Sequence, residues 1–218
     1  MSTPHTSAAL ALDGSQIDGS LYLQVTTFAR DTPWLNGVLN AYSSYGIVLF
    51  ALLIVAAWWA ARRESTTTMT AALAVPVAAV LAYVVNALLK VVVAEPRPCF
   101  AYPTAFLLEA CPASSDYAFP SNHSVAVAAM AAALVLVSRR LAVVAVVAAA
   151  VMGFSRVYVG AHYPHDVIAG LLIGAVVGYV VAVLARRYAT PLVDRLSTTR
   201  LRPLLTAGAG PGANEQPR

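Results

Sequence analysis

Two histidines, three isolated cations and one carboxylate stand in this sequence where the surrounding apolar runs have no use for them. His162 and Asp166 are four residues apart, so they share one face of a helical turn. A carboxylate on one imidazole nitrogen fixes the tautomer and raises the basicity of the other, which a nucleophilic or general-base histidine requires. Pro120-Ser121-Asn122-His123 opens an apolar run. Ser121 suits an N-cap, and the helix start behind it offers unpaired amides and a favourable dipole to an anion. Capping accounts for Ser121 but gives no reason for His123. Lys90 is the only lysine, against thirteen arginines, and it joins Arg97 and Arg156 as a cation outside the paired clusters. Arginine offers phosphate a planar fork of donors and lysine a flexible point charge. Taken singly, each residue has a plain structural explanation: snorkelling for the cations, capping for Asp166, an interfacial ring for His162. Together they compose an anion site with a nucleophile.

The elements that would position them are membrane helices. The 218 residues are 59% hydrophobic and 11% charged, and the mean hydropathy is +0.70. Such a chain lacks the polar residues to coat a soluble globule. Roughly 20 consecutive apolar residues cross a bilayer as a helix, and five candidate spans run at about 41–61, 69–93, 121–137, 141–158 and 166–185. The net charge of +4 does not point to nucleic acid, because no basic stripe with interleaved aromatics accompanies it. Arg62 and Arg63, Arg139 and Arg140, and Arg186 and Arg187 instead follow alternate spans. The positive-inside rule puts these pairs on the cytoplasmic side, and the N-terminus and loops 94–120 and 156–165 outside. Lys90, Arg97 and Arg156 then fall at the outer ends of spans, where a cation needs a partner or a task.

The fold class expected is all-α, a polytopic membrane bundle of five to six helices with an N-terminal interfacial helix. Residues 1–38 form an N-terminal segment, with loosely helical apolar spacing between Gln16 and Arg30 that suits the membrane interface. Residues 39–188 form the transmembrane unit, and 189–218 read as a flexible, polar, Gly- and Pro-rich tail. Loop 94–120 carries five prolines and both cysteines, Cys99 and Cys111. These pair if the loop lies in an oxidising compartment, and two free thiols is an equal alternative. Gly170, Gly174 and Gly178 give the last span a small-residue face for close packing, within the monomer rather than between copies. Oligomeric state is not fixed by the sequence.

Three motifs in order carry a resemblance to a known family. Lys90, six residues and Arg97-Pro98 form the first. Pro120-Ser121-Asn122-His123 is the second. Ser155-Arg156, five residues, His162, three residues and Asp166 complete the third. Over about residues 40–185 the chain resembles the type 2 phosphatidic acid phosphatase superfamily, and within it the bacterial bacitracin-resistance branch. The resemblance implies that His162 attacks phosphorus to form a phosphohistidine, oriented by Asp166. His123 would protonate the leaving oxygen, while Lys90, Arg97, Ser121, Arg156 and the amides near Asn122 and His123 hold the phosphoryl oxygens. Asn122 stands where the family usually has glycine, a departure bearing on substrate choice.

The implied substrate is a polyprenyl diphosphate, undecaprenyl or decaprenyl, at the outer face of a bacterial membrane. A phosphatase for glycerolipid or prenyl monophosphates, a phosphoalcohol transferase, and a non-enzymatic lipid-binding or transport protein are the alternatives. No cofactor is implied. No metal is expected either, because the ten carboxylates read as scattered, with only Asp166 and Glu95 near the motifs. His165 and His5 receive no role.

Overall fold

The computed structural model describes residues 12–207, and it is helical throughout, without strands among those residues. Helix α1 (Ser15–Asp31) and α2 (Pro33–Tyr45) precede α3 (Ile47–Ala61), with a 54° bend between α2 and α3. The bend falls at Gly46, where a Cβ would sit 2.5 Å from the Tyr42 carbonyl oxygen. The long α4 (Thr66–Val93) is capped by Ser65, whose hydroxyl accepts from the Thr68 amide at 3.2 Å. It ends at Ala94, the only non-glycine residue with positive φ among those described (51°). A short α5 (Pro98–Ala101) begins the long loop, and α6 (Asn122–Leu134), α7 (Arg139–Tyr158) and α8 (Pro164–Tyr188) complete the bundle.

Helix α6 is the axis. Nine of its thirteen residues are buried, as expected of a helix apolar on every side, and α8, α4 and α7 surround it. Val127, Met130, Ala133 and Leu134 meet Phe50, Val75, Ala145 and Met152 in the main core. Against α8 the approach is backbone to backbone. A Cβ on Gly170, Gly174 or Gly178 would lie 2.9, 2.2 and 2.2 Å from the carbonyl oxygens of Ser121, Val125 and Ala129. The small face of the last span therefore packs inside the monomer, as the spacing suggests. The outer faces are apolar and uncovered: Val77, Val80, Leu88, Val143, Val147, Leu172 and Val176 all point away from the bundle, as lipid-facing residues do.

Among the described residues three helices are long and apolar enough to cross a membrane (Thr66–Ala101 taken as one, Arg139–Tyr158 and Pro164–Tyr188), and the bent α2–α3 pair adds a fourth when counted as one broken span. The expected span at 121–137 is shorter than predicted. Thirteen residues rise only about 20 Å, less than the ~30 Å hydrocarbon core, and α6 tolerates this because its neighbours enclose it. The arginine pairs do share one end. Arg62 follows α3, Arg139 opens α7 and Arg187 closes α8, while Lys90, Asn122, Arg156 and Pro164 gather at the other.

The expected flexible tail from 189 is corrected over its first part. Helices α9 (Thr190–Ser197) and α10 (Arg202–Leu205) fold back, burying Val193 and Leu205 against Ala61, Met69 and Ala72. Trp58 Nε1 donates to the Leu204 carbonyl at 2.9 Å. Residues 208–218 of that tail, and His5, lie outside the described residues. Helix α1 coincides with the expected N-terminal helix. It buries Tyr22, Thr26 and Ala29 and leaves Ile17, Leu21 and Phe28 exposed.

Candidate active site

All eight residues singled out by type and spacing meet at the end opposite the arginine pairs. Seven are placed by a helix terminus, and His162 lies in the turn between α7 and α8. Lys90 sits one turn from the end of α4, and Arg97 follows at the N-cap of α5. Ser121, Asn122 and His123 form the start of α6, Arg156 the last turn of α7, and Asp166 the first turn of α8. Ser121 caps α6 as expected, its hydroxyl accepting from the Ser124 amide at 3.5 Å and from the Ser124 hydroxyl at 3.1 Å, and its own amide donates to the Asp166 carbonyl oxygen at 3.1 Å. The starts of α6 and α8 are thereby joined.

His162 is buried between an acid and a base. Its Nδ1 lies 3.2 Å from Asp166 Oδ2, which also accepts from the Tyr163 amide at 2.9 Å. Its Nε2 lies 2.9 Å from Arg97 Nη1. A guanidinium can only donate, so Nε2 carries the lone pair and Nδ1–H donates to Asp166. Burial, then the charges of Arg97, Arg156 and Lys90, hold His162 well below the usual imidazole value of 6.5. The ring is neutral, with its basic nitrogen facing the cations.

The cations are buried, at 8% (Lys90), 7% (Arg97) and 4% (Arg156) exposure, and loop acids occupy them. Arg97 donates to Asp116 Oδ2 at 2.9 Å, to the Asp116 carbonyl at 3.1 Å and to the Ala161 carbonyl at 2.9 Å. Lys90 donates to the Tyr117 carbonyl and lies 3.5 Å from Asp116 Oδ1. Arg156 grips Glu109 with both Nη atoms, at 2.7 and 3.1 Å, and reaches Ser43 Oγ on α2 at 2.5 Å. Burial would raise Asp116, but its hydrogen bond to Arg97 and the charges of Arg97 and Lys90 outweigh that and bring it below the ordinary carboxylate value.

His123 makes no side-chain hydrogen bond among the described residues, although it lies within electrostatic reach of Arg156, Glu109, Arg97 and Lys90. Asn122 turns its side chain away to Asn86 on α4, which donates to Asn122 Oδ1 at 2.5 Å and to the Pro120 carbonyl at 3.2 Å. Its backbone remains at the helix start. Cys99 and Cys111 are joined, tying the long loop back to α5 beside Arg97.

The reading of scattered carboxylates is corrected. Asp116 and Glu109 enter the site, and Glu95, His165 and Asp166 place one potential ligand atom each within 4.8 Å of one another. Sequence reasoning also missed Ser43, Asn86 and Asp18. The only available signal was adjacency, His165 beside Asp166 and Glu95 inside the first motif.

The sequence profile of the PAP2 superfamily matches residues 71–189, more than half of the chain. The chain is similar to an undecaprenyl-diphosphatase of Sulfolobus acidocaldarius, 40% identical over 102 residues, or 46% of this chain and 48% of that protein. It is similar to undecaprenyl-diphosphatase BcrC of Bacillus subtilis, 34% identical over 96 residues, 44% and 48% of the two chains. A lipid A 1-phosphatase of Rhizobium johnstonii is 45% identical over 74 residues, 34% of this chain and 30% of that one. The matched stretch thus spans about half the length of the two diphosphatases. No solved structure matches the chain.

Proposed function

The chain belongs to the PAP2 superfamily, and on that footing we propose that it is a membrane phosphatase removing the terminal phosphate of a polyprenyl diphosphate. The observation that carries this reading is the line Arg97–His162–Asp166, which leaves a lone pair on a buried, neutral Nε2 beside three cations. Nε2 attacks the terminal phosphorus, and the bond from phosphorus to the bridging oxygen breaks. His123 gives a proton to that oxygen, releasing the polyprenyl monophosphate. Water then attacks the phosphohistidine, His123 takes its proton, and orthophosphate leaves as Nε2 regains its lone pair. Lys90, Arg97, Arg156, Ser121 and the Asn122 and His123 amides hold the oxygens as charge moves. Residues 39–188 carry every residue of this mechanism.

The names of the two diphosphatases favour a prenyl diphosphate. The lipid A 1-phosphatase supports a second reading, another lipid phosphate on the same catalytic set. We place the site on the extracytoplasmic face of a bacterial membrane, recycling the cell-envelope carrier lipid. The joined Cys99 and Cys111 in the site loop support that side, because such links persist in oxidising compartments.

The test is orthophosphate release from undecaprenyl diphosphate in detergent with EDTA, wild type against His162→Ala. Release by wild type alone, and a preference for prenyl diphosphate over glycerolipid and lipid A phosphates in competition, is expected. Equal release by both proteins would sink the mechanism.

A further inference from the structure

Behind the nucleophile lies a second set of charged groups to which the reaction above assigns nothing. Asp166 gives one oxygen to His162 and Tyr163. The other, Oδ1, is fully buried and has no hydrogen-bond partner among the described residues, and it faces His165 Nε2 at 3.5 Å. That same Nε2 lies 3.1 and 3.2 Å from the two oxygens of Glu95, which is 0% exposed. On the far side of the ring, Nδ1 lies 2.8 Å from Asp18 Oδ1, and the His165 amide donates to Asp18 Oδ2 at 2.7 Å. Asp18 is the one residue of α1 with non-helical backbone (φ −144°, ψ 28°), and this kink turns its carboxylate toward α8. Tyr163 and Phe119 lie nearly parallel to the ring, with centroids 5.5 and 5.9 Å away. Gly14 closes the cluster, since a Cβ there would meet Glu95 Oε1 at 1.8 Å.

Ionised carboxylates only accept. An imidazole with a carboxylate at each nitrogen therefore donates from both, as an imidazolium. Without that cation, Asp18, Glu95 and Asp166 would be three acids gathered in a poorly hydrated place, and Asp166 would lose the charge that supports His162. We propose that His165, clamped as an imidazolium between Asp18 and Glu95, is a positioning residue that balances Asp166 and so keeps His162 in the tautomer with Nε2 free. Asp18 lies outside residues 71–189 matched by the family profile, so helix α1 becomes a working part of the site. This deepens the function proposed above and rests on it for its kinetic consequences.

Two measurements test it. Nitrogen-15 NMR of histidine-labelled protein in detergent, with His165 assigned by its loss in His165→Gln, reads the ring directly and needs no substrate. Both ring nitrogens protonated at neutral pH is expected, and a bare nitrogen overturns the proposal. In the kinetic arm, His165→Gln lowers kcat on undecaprenyl diphosphate about tenfold to a hundredfold, the scale of one lost bond to a charged group, with KM unchanged. Glu95→Gln added to that variant removes one of the two facing acids and restores part of kcat, whereas a merely structural role makes the double variant worse. Wild-type kcat in His165→Gln, or a double variant slower than the single, overturns the proposal. So does one divalent metal ion per chain that disappears in His165→Gln, which would make the cluster a metal site. If His165→Gln fails to fold, Asp18→Asn reads the same link, with a fall in kcat at constant KM expected. A wild type silent on every lipid phosphate sinks the proposed function and leaves the NMR result to stand alone.

Discussion

Replacing Glu109 by glutamine separates the resting state of the site from its loaded state. Arg156 presents its fork to both Glu109 oxygens at 2.7 and 3.1 Å, and a substrate phosphate needs the same fork. The acid must leave before the anion enters. A charge-assisted pair of this geometry is worth about 1.5–3 kcal/mol when shielded. Here the guanidinium is 5% exposed but the carboxylate is 42% exposed, so water replaces much of what is lost and about 1 kcal/mol remains as the cost of displacement. That corresponds to roughly fivefold in an equilibrium constant. Glu109→Gln keeps the size of the side chain and removes the charge. It should tighten competitive inhibition by orthophosphate about fivefold and lower KM by a similar factor, with kcat unchanged. The assay follows the lipid product by chromatography while orthophosphate is varied. An unchanged or weaker inhibition constant would refute the reasoning, because Glu109 would then be holding Arg156 in place rather than competing for it.

Burial and the surrounding cations depress His162, so its reactive neutral form persists as pH falls and is lost only below the usual imidazole value. The acid limb of kcat/KM should accordingly lie below 6.5 in wild type and move up toward it in Arg97→Gln, as a pH–rate series will show. Gly174→Ala forces a Cβ to within 2.2 Å of the Val125 carbonyl, whereas Gly37 has nothing within 4 Å. The first should lose about 1–3 kcal/mol by thermal unfolding in detergent and Gly37→Ala almost none. Cys111→Ser opens the link to Cys99 and with it a 12-residue separation. A loss of about 3 kcal/mol of stability under oxidising conditions, absent under reducing ones, is the expected signature.

Convergence of the three motifs was legible because each lies at a span end, and spans reverse direction one after another. Counting spans is enough to put Lys90, Ser121, Arg156 and His162 at the same end. The tautomer of His162 was half legible. Spacing brought Asp166 to the ring, but that it meets Nδ1, and that Arg97 faces Nε2 from a helix start 65 residues away, comes from the fold. Glu109 and Asp116 were invisible because the path of a proline-rich loop is set by what it touches, not by periodicity. Asp18 and Ser43 arrive from helices before the motifs, chosen by tertiary packing. Helices α9 and α10 are only eight and four residues long, too short to show an apolar period, so their buried contacts, Val193 and Leu205, gave no signal.

The glycine contacts between α8 and α6 have a mechanical consequence. Backbones that close leave no room to slide, and the Ser121 amide bonded to the Asp166 carbonyl fastens their upper ends. The helices bearing His123 and Asp166 are therefore expected to move as one body under any load the surroundings apply. Their spacing is insulated from the lipid in which the substrate arrives. Under the proposed function, an incoming phosphate has only to displace Asp116 and Glu109 of the tethered loop from Arg97 and Arg156, while the α6–α8 spacing that sets the geometry of the chemistry stays as it is.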